Sequence, residues 1–236
     1  MKKIYSILVF CAVYTMLYGQ DFSVRYETGI GQYNMKEMKA FQIDLRNLVS
    51  DLDVKSVVQF PSTLYYGFEA AYHLNKKNAV GVHLFYNSTA GRNHLADYSG
   101  EYKMDMLLSS YAAGVGYRYT FGEFGKFKVS ACFDVGIRLS GLKFKEDLVI
   151  YGDSISHYDN MFYGTNFYTL QVIEVSYPVL SKLDLILKAG YEIDFRSKYV
   201  TKNDNGEEQV LYYKNNEPLN IDYSGFRIGL GISYKL

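Results

Sequence analysis

The sequence has little of what a helical membrane protein needs. It contains one long uncharged apolar run, from Ile4 to Gly19, and no second one. Because a helix needs about 20 consecutive apolar residues to cross a bilayer, no later segment can cross as a helix. If the chain spans a membrane after residue 19, it must do so as a closed β-barrel, which also bonds every backbone polar group internally.

That apolar run has the layout of a secretory signal. Lys2 and Lys3 form a basic start, and the small residue Gly19 precedes the expected cut. We therefore predict a signal peptide over 1–19 and a single mature β-barrel domain over 20–236. The length of the chain fits one domain.

Cysteine and net charge are also scarce. Of two cysteines, Cys11 lies in the signal, so Cys132 stands alone and no internal disulfide can form. Without the two lysines of the signal, 23 basic residues face 25 acidic ones, a net charge of −2. Such a balance argues against nucleic acid as a partner, and no motif indicates a cofactor or a metal.

Tryptophan is absent and proline is rare, whereas tyrosine is abundant. The chain has 25 Tyr and 15 Phe, and the amphipathic tyrosine ring suits a membrane interface. A soluble tyrosine-rich protein would have the same composition. The prolines Pro61, Pro178 and Pro218 all fall between the strands predicted below, as expected because proline cannot donate to a β-ladder.

The end of the chain alternates strictly. Arg227, Gly229, Gly231, Ser233 and Lys235 fall on one face; the other face carries Phe226, Ile228, Leu230, Ile232, Tyr234 and Leu236. A period of two residues predicts a strand.

Similar alternation predicts eight strands: 22–32, 63–74, 79–88, 102–121, 126–145, 165–177, 183–199 and 223–236. Four long connections, 33–62, 89–101, 146–164 and 200–222, alternate with three short turns, which is typical of outer loops and periplasmic turns. A phase change at Ser140–Gly141 predicts a β-bulge. Apolar residues three or four apart over 38–52 predict one short helix. We interpret it as a loop helix that folds its apolar stripe onto neighbouring loops; a lid over the barrel mouth and a partner-binding helix are the alternatives.

Side-chain volume decides which face points inward. Dozens of large apolar side chains would overfill an eight-stranded interior, so a soluble ligand-binding calyx is disfavoured and the polar face is placed inside. We predict a lumen closed by ion pairs, because unpaired buried charges are costly. The predicted network is Arg25, Glu27, Glu69, Arg118, Asp134, Arg138, Glu174, Lys188, Glu192, Asp194, Arg196 and Arg227.

Two finer expectations concern this interior. Glu27 and Arg227 are expected to meet where the first and last strands close the barrel. His73 and His83 face inward, and with no third ligand they are expected to bond to Glu69 rather than to hold a metal.

Catalysis would need His, Ser and acid combinations in the loops. Segment 89–101 offers His94, Asp97 and Ser99, and segment 146–164 offers His157; Asp153, Ser154 and Ser156 accompany it. Solvated loops collect such residues without any catalytic role.

Together, the signal, the eight alternating strands and the final sequence GFRIGLGISYKL resemble the small bacterial outer-membrane β-barrel family. The strand number is OmpX/OmpA-like, and the Gly- and Tyr-rich strands are PorT-like. This resemblance implies an outer-membrane location with both mature termini in the periplasm, and contact with outer-membrane lipid and the barrel-insertion machinery. Members of the family include passive barrels, adhesion or defence factors and accessory components of protein secretion.

Three functions stay open at this point. The first is a non-enzymatic barrel whose surface loops contact a protein partner or the environment. The second is a narrow porin-like diffusion channel. The third is an outer-membrane enzyme that modifies lipid.

Overall fold

The structure, a computed structural model, describes residues 21–49, 53–195, 198–202, 208–213 and 217–236. The predicted signal peptide lies outside this part of the chain. No helix among the described residues is long and apolar enough to span a membrane. In chain order the elements are β1 (Phe22–Tyr33), α1 (Lys36–Leu48), β2 (Lys55–Gln59), β3 (Thr63–His73), β4 (Asn78–Asp97), β5 (Gly100–Phe124), β6 (Phe127–Ile150), β7 (Asp153–Pro178), β8 (Leu183–Asp194), β9 (Val200–Lys202), β10 (Glu208–Val210), β11 (Tyr212–Tyr213), β12 (Glu217–Pro218) and β13 (Gly225–Lys235).

Eight strands close into an antiparallel ring in the order β1, β3, β4, β5, β6, β7, β8 and β13, and β13 pairs with β1 to close it. The predicted eight-stranded up-and-down barrel is confirmed. Closure removes the unpaired strand edges that an open sheet would expose.

The register fixes the geometry of this ring. Starting from β1, successive paired residues lead around the barrel and back to β1 ten residues further on: Phe22, Tyr72, Val80, Tyr117, Phe133, Gln171, Tyr191, Phe226 and Gln32. A displacement of ten residues at about 3.3 Å each, over eight strands about 4.8 Å apart, tilts the strands by roughly 41°. This tilt is within the range of transmembrane barrels.

One side of the barrel is much taller than the other. Strands β4 to β7 have 20 to 26 residues, whereas β1, β3, β8 and β13 have 11 or 12. The upper parts of β4–β7 form a protruding four-stranded sheet, which we call the wall. The predicted long loops 89–101 and 146–164 are therefore wrong, because both segments pair as strands up to two-residue tips at 98–99 and 151–152.

Charge pairing on the outward face supports the wall. Arg92, Asp105, Lys145 and Asp159 lie side by side on four successive strands with alternating sign. Arg92 Nε contacts Asp105 Oδ1 at 2.5 Å, and Lys145 Nζ contacts Asp159 Oδ2 at 3.4 Å. Cross-strand pairs of opposite charge stabilise a sheet, so a polar segment that resembles a loop in sequence can continue as a strand.

The predicted β-bulge at Ser140–Gly141 is wrong. Both ladders of β6 continue in register through these residues, and the irregularities lie elsewhere, between Thr120 and Gly122 and between Leu148 and Val149. Leu139 faces outward and is 58% exposed, whereas Leu142 faces inward and is fully buried. Along β6, alternate residues therefore continue to face outward and inward without a shift. What changes at this height is the interior, which becomes apolar.

The apolar interior of the wall packs against α1 and the segment before β13. We call this cluster the cap; its buried members are Tyr33, Met35, Met38, Val54, Phe60, Tyr102, Met104, Met106, Leu108, Leu142, Phe162, Tyr199, Leu219, Ile221 and Tyr223. A buried side chain, Gln42 of α1, donates to Asn93 Oδ1 of the wall at 3.0 Å and to the Val58 carbonyl at 2.7 Å. The apolar stripe of α1, with Met38, Phe41 and Leu45, therefore packs on the wall and on neighbouring connections, as the loop-helix interpretation predicts.

Candidate functional site: the lumen, the wall and the outer belt

The barrel turns its apolar face outward, as the volume argument predicted. Ile228, Leu230 and Ile232 of β13 are each about half exposed, while Arg227 is buried in the interior. The same arrangement is found around the ring, where Leu84, Val115 and other large apolar residues face outward. A protein surface this apolar matches a hydrocarbon environment.

Two aromatic rings bound this outward belt. The upper ring is Tyr86, Tyr111, Phe167, Phe195 and Phe226; the lower ring is Phe22, Tyr72, Tyr119, Phe127, Tyr177 and Tyr234. Along β7 the rings are ten residues apart, from Phe167 to Tyr177, which is roughly 25 Å along the axis at the tilt given above. That height matches the apolar band of outer-membrane barrels.

A central layer of ion pairs crosses the lumen. Arg25 Nη1 donates to both carboxylate oxygens of Glu174, at 3.0 and 2.9 Å. Arg118 bonds to Glu69, and Lys188 bonds to Glu27 and lies 3.6 Å from Glu69. These six side chains come from five different strands, so the layer links much of the ring across its interior.

A second layer lies nearer the mouth. Glu192 forms ion pairs with Arg138 and Arg227, and all three residues are at most 4% exposed. Asp194 accepts a hydrogen bond from Asn166 Nδ2 at 2.8 Å. Nine of the twelve predicted residues therefore take part in ion pairs: six in the central layer and three here.

The other three predicted residues differ. Among the described residues, Asp134 faces the inner cavity without an ion pair, and Asp194 accepts a hydrogen bond from the Asn166 amide and forms no ion pair. Arg196 lies outside the described residues. The expected contact of Glu27 with Arg227 is wrong, because the register places Glu27 opposite Gly231 and Arg227 opposite Gly31, four residues apart along the strands.

Aromatic side chains inside the lumen were not assigned a role by the sequence analysis. The Arg138 guanidinium lies 4.4 Å from the ring centroid of Tyr223 and 5.4 Å from that of Tyr168. Arg227 lies 5.2 Å from the centroids of both Tyr65 and Phe85. Cation–π contacts stabilise desolvated guanidinium groups. The alternation of the sequence places Tyr65 and Phe85 on the inward face, but it does not predict their contact with Arg227.

Little space remains between the two layers. The inner cavity has a volume of about 20 Å³ and is lined by Glu27, Asp134 and Arg227 among others. A larger cavity of about 450 Å³ opens at the end with the short turns, below Arg25 and Arg118. The larger cavity is therefore a vestibule below the central ion-pair layer.

The two wall histidines lie on different strands and bond to different acids. On the wall, His94 bonds to Glu101 at 3.0 Å and His157 bonds to Asp147 at 2.6 Å. Three strand spacings, roughly 14 Å, separate His94 from His157 in the ladder. Among the described residues no cluster of three His, Cys, Asp or Glu side chains could hold a metal ion.

The inward histidines also differ from the expectation. His73 bonds to Ser23 Oγ at 3.0 Å, and His83 bonds to Tyr168 Oη at 2.6 Å. The expected hydrogen bond of these histidines to Glu69 is wrong, because that carboxylate pairs with Arg118.

The tips of the wall expose two tyrosine side chains above the paired strands. Tyr98 is 95% exposed and Tyr151 is 78% exposed, and the two tips touch through a hydrogen bond of 2.7 Å from Tyr151 N to the Ser99 carbonyl. In the first tip the Ser99 hydroxyl donates to Asp97 at 2.6 Å, and this bond holds the pKa of Asp97 below its usual range. Exposed aromatics on a preorganised turn are suited to recognition.

Comparison with known proteins finds solved structures of similar fold. No protein-family model matches the chain, and no curated protein matches it by sequence. Similar solved structures are Neisserial surface protein A (TM-score 0.38, 14% identity, 92% of this chain and 98% of that one), the outer membrane protein OprG from Pseudomonas aeruginosa (0.43, 14%, 92% and 95%) and a major outer membrane protein from Thermus thermophilus (0.44, 13%, 90% and 98%).

At these identities the similarity concerns the fold alone. Three features of the structure support a membrane barrel independently of this similarity: the outward apolar belt, the two aromatic rings and the strand tilt. The chain is an eight-stranded β-barrel of the bacterial outer-membrane type.

Proposed function

We propose that this barrel is a closed, non-enzymatic outer-membrane protein that acts by presenting its wall and cap to a protein partner at the cell surface. Both mature termini are in the periplasm, and the lumen carries no solute. The observation that carries this proposal is the inner cavity of about 20 Å³ between two ion-pair layers. A cavity of this size holds about one water molecule.

The energetics of the lumen favour closure over conduction. A solute would have to separate pairs such as Arg25–Glu174, which link opposite parts of the ring. Leaving a buried charge without its partner costs about 3–5 kcal/mol. Above this layer the apolar cap adds a second obstruction.

Planar-bilayer recordings test the closed lumen. The purified barrel is expected to give no unit conductance at any applied voltage below membrane breakdown. Reproducible unit currents that change in a Lys188→Met variant would show that ions thread the lumen, and would replace this proposal by the diffusion channel. Detergent without protein is the control.

The asymmetry of the two ends supports the proposed orientation. The wall and the long connections are at one end, whereas the turns between β3 and β4, β5 and β6, and β7 and β8 are short. Outer-membrane barrels place short turns in the periplasm. An epitope inserted between Ser99 and Gly100 should bind antibody on intact cells, and one between Lys76 and Lys77 only after permeabilisation. The opposite pattern would overturn the orientation.

The wall tips are the part of the surface that we assign to a partner. A Tyr98→Ser, Tyr151→Ser double variant should lose the proteins that co-purify with the wild-type barrel. The matched control is Val179→Ser, Leu180→Ser, which alters two exposed apolar residues at the opposite end. If both variants retain the same co-purifying proteins, the tips are not the contact surface.

The enzymatic alternative has its own measurement. The lipid A mass spectrum of cells that express the barrel should be the same for wild type, His94→Ala and His157→Ala. A mass shift that depends on either histidine would overturn the non-enzymatic function.

A further inference from the structure

A side-chain amide faces the apolar belt at mid-height. Gln171 of β7 points outward between Phe133 and Tyr191, its register partners on β6 and β8. It lies four residues below Phe167 of the upper ring and six residues above Tyr177 of the lower ring. Among the outward residues of the described strands that lie between the rings, Gln171 alone carries an amide or a charge.

The hydrogen bonds of this amide are incomplete. Gln171 Nε2 donates to Thr169 Oγ1 at 3.1 Å, and the carbonyl oxygen accepts no hydrogen bond from a described residue. An amide in hydrocarbon without a partner costs free energy because no water replaces the missing bonds. By contrast Thr28, another polar residue of the belt, donates to the Tyr65 carbonyl at 3.0 Å within the barrel.

The surface around Gln171 has a groove and ridges into which a second surface can pack. The small side chains Ala131 and Ala189 leave an outward groove of about 530 Å³ beside Gln171, and Phe133 and Tyr191 form ridges next to it. Small residues let membrane-embedded segments approach closely, and polar side chains then bond across the contact.

We propose that Gln171 lies at the centre of a two-fold contact between two copies of this barrel within the membrane. An acyl chain could fill the groove, but it has no donor or acceptor for the amide. A primary amide is both donor and acceptor, so it is complementary to its own copy. In a two-fold contact the ridges of one copy also meet the groove of the other.

This inference rests on the membrane location in the proposed function, but not on the closed lumen or the partner at the wall tips. The groove and the amide occupy one sector of the ring, on β6, β7 and β8. On the opposite side, Phe68 of β3 faces outward at nearly the same height. Phe68 is therefore the matched control position.

Cysteine cross-linking in outer membranes tests the contact. A Gln171→Cys variant should give a disulfide-linked dimer on mild oxidation, whereas a Phe68→Cys variant and the unaltered chain should stay monomeric. The unaltered chain controls for Cys11 and Cys132, the latter of which faces the lumen. If Gln171→Cys forms no more dimer than Phe68→Cys, the proposal is overturned. Normal membrane fractionation of all variants would keep the proposed location intact in that case.

A second measurement tests the hydrogen bond itself. In liposomes, self-association measured by fluorescence transfer should weaken about three- to tenfold in Gln171→Leu. A Gln171→Asn variant, which keeps the amide, should retain part of the affinity. Dimers that cross-link at this position but associate equally well in Gln171→Leu would refute the amide contact.

Discussion

Arg138 of β6 and Glu192 of β8 form an ion pair across the strand that lies between them, and both side chains are almost completely buried. Arg227 of β13 contacts the same carboxylate from the other side. Glu192 thus forms ion pairs with two arginines and links three strands of the ring. We therefore expect the stability of the upper lumen to depend on this one acid.

A Glu192→Ala variant should be strongly destabilised. Removing the carboxylate leaves two buried guanidinium groups without an ion partner, and we expect a loss of about 3–5 kcal/mol in the free energy of unfolding. Urea unfolding in detergent, followed by the gel shift of the folded barrel, measures this loss.

The matched control is a pair at the solvent-accessible rim. Lys235 contacts Asp184 at 2.8 Å, but the lysine side chain is 39% exposed. A Lys235→Ala variant should change the free energy of unfolding by only about 0–1 kcal/mol. Equal losses in the two variants would contradict the assignment of Glu192 as a buried hub.

A double-mutant cycle tests the partner of Arg227. Alanine substitutions of Arg227 and Glu192 should be strongly non-additive in unfolding free energy, because the residues are in direct contact. The same cycle for Arg227 and Glu27 should give a much smaller coupling, since Glu27 pairs with Lys188. A larger coupling with Glu27 would restore the contact that alternation had suggested.

The switch from a polar to an apolar interior can be tested on adjacent residues of β6. Leu142 faces the cap, and Leu142→Ala should cost about 2–5 kcal/mol as a buried truncation. Lys143 faces outward with a partly exposed ion pair to Asp159, and Lys143→Ala should cost at most about 1 kcal/mol. The reverse order would mean that the strand is shifted by one residue.

The tip of the first hairpin should depend on pH through Asp97. Since the Ser99 hydroxyl lowers the pKa of Asp97 in the folded state, the turn is stabilised above the unfolded pKa of about 4. That stabilisation is lost as the pH falls through the lower folded pKa. NMR titration should show the Asp97 midpoint rising in Ser99→Ala. An unchanged midpoint would assign the shift to another group.

Periodicity was enough to predict the barrel strands, because a two-residue period allows few alternatives. Arg25, Glu69 and Glu174 could be placed inside from parity and volume alone. The ion-pair partners of these residues could not be predicted in this way. They depend on the displacement of ten residues around the ring, which the sequence of a single strand does not reveal. Glu27 was therefore assigned to Arg227 instead of Lys188.

The wall and the cap were missed for a related reason. Residues 89–101 and 146–164 are polar, so they resemble loops, but their charges pair across strands. At Gly141 the apolar residues of β6 switch from outward-facing to inward-facing positions. The strand continues in register there; the switch occurs because the interior becomes apolar at the height of the cap.

The sequence by itself therefore determined the strands, the outward apolar face and the charged interior, because these follow from local alternation and side-chain volume. Only the tertiary structure decided which charges pair, how far the strands extend and what covers the mouth. Those features depend on contacts between residues far apart in the chain.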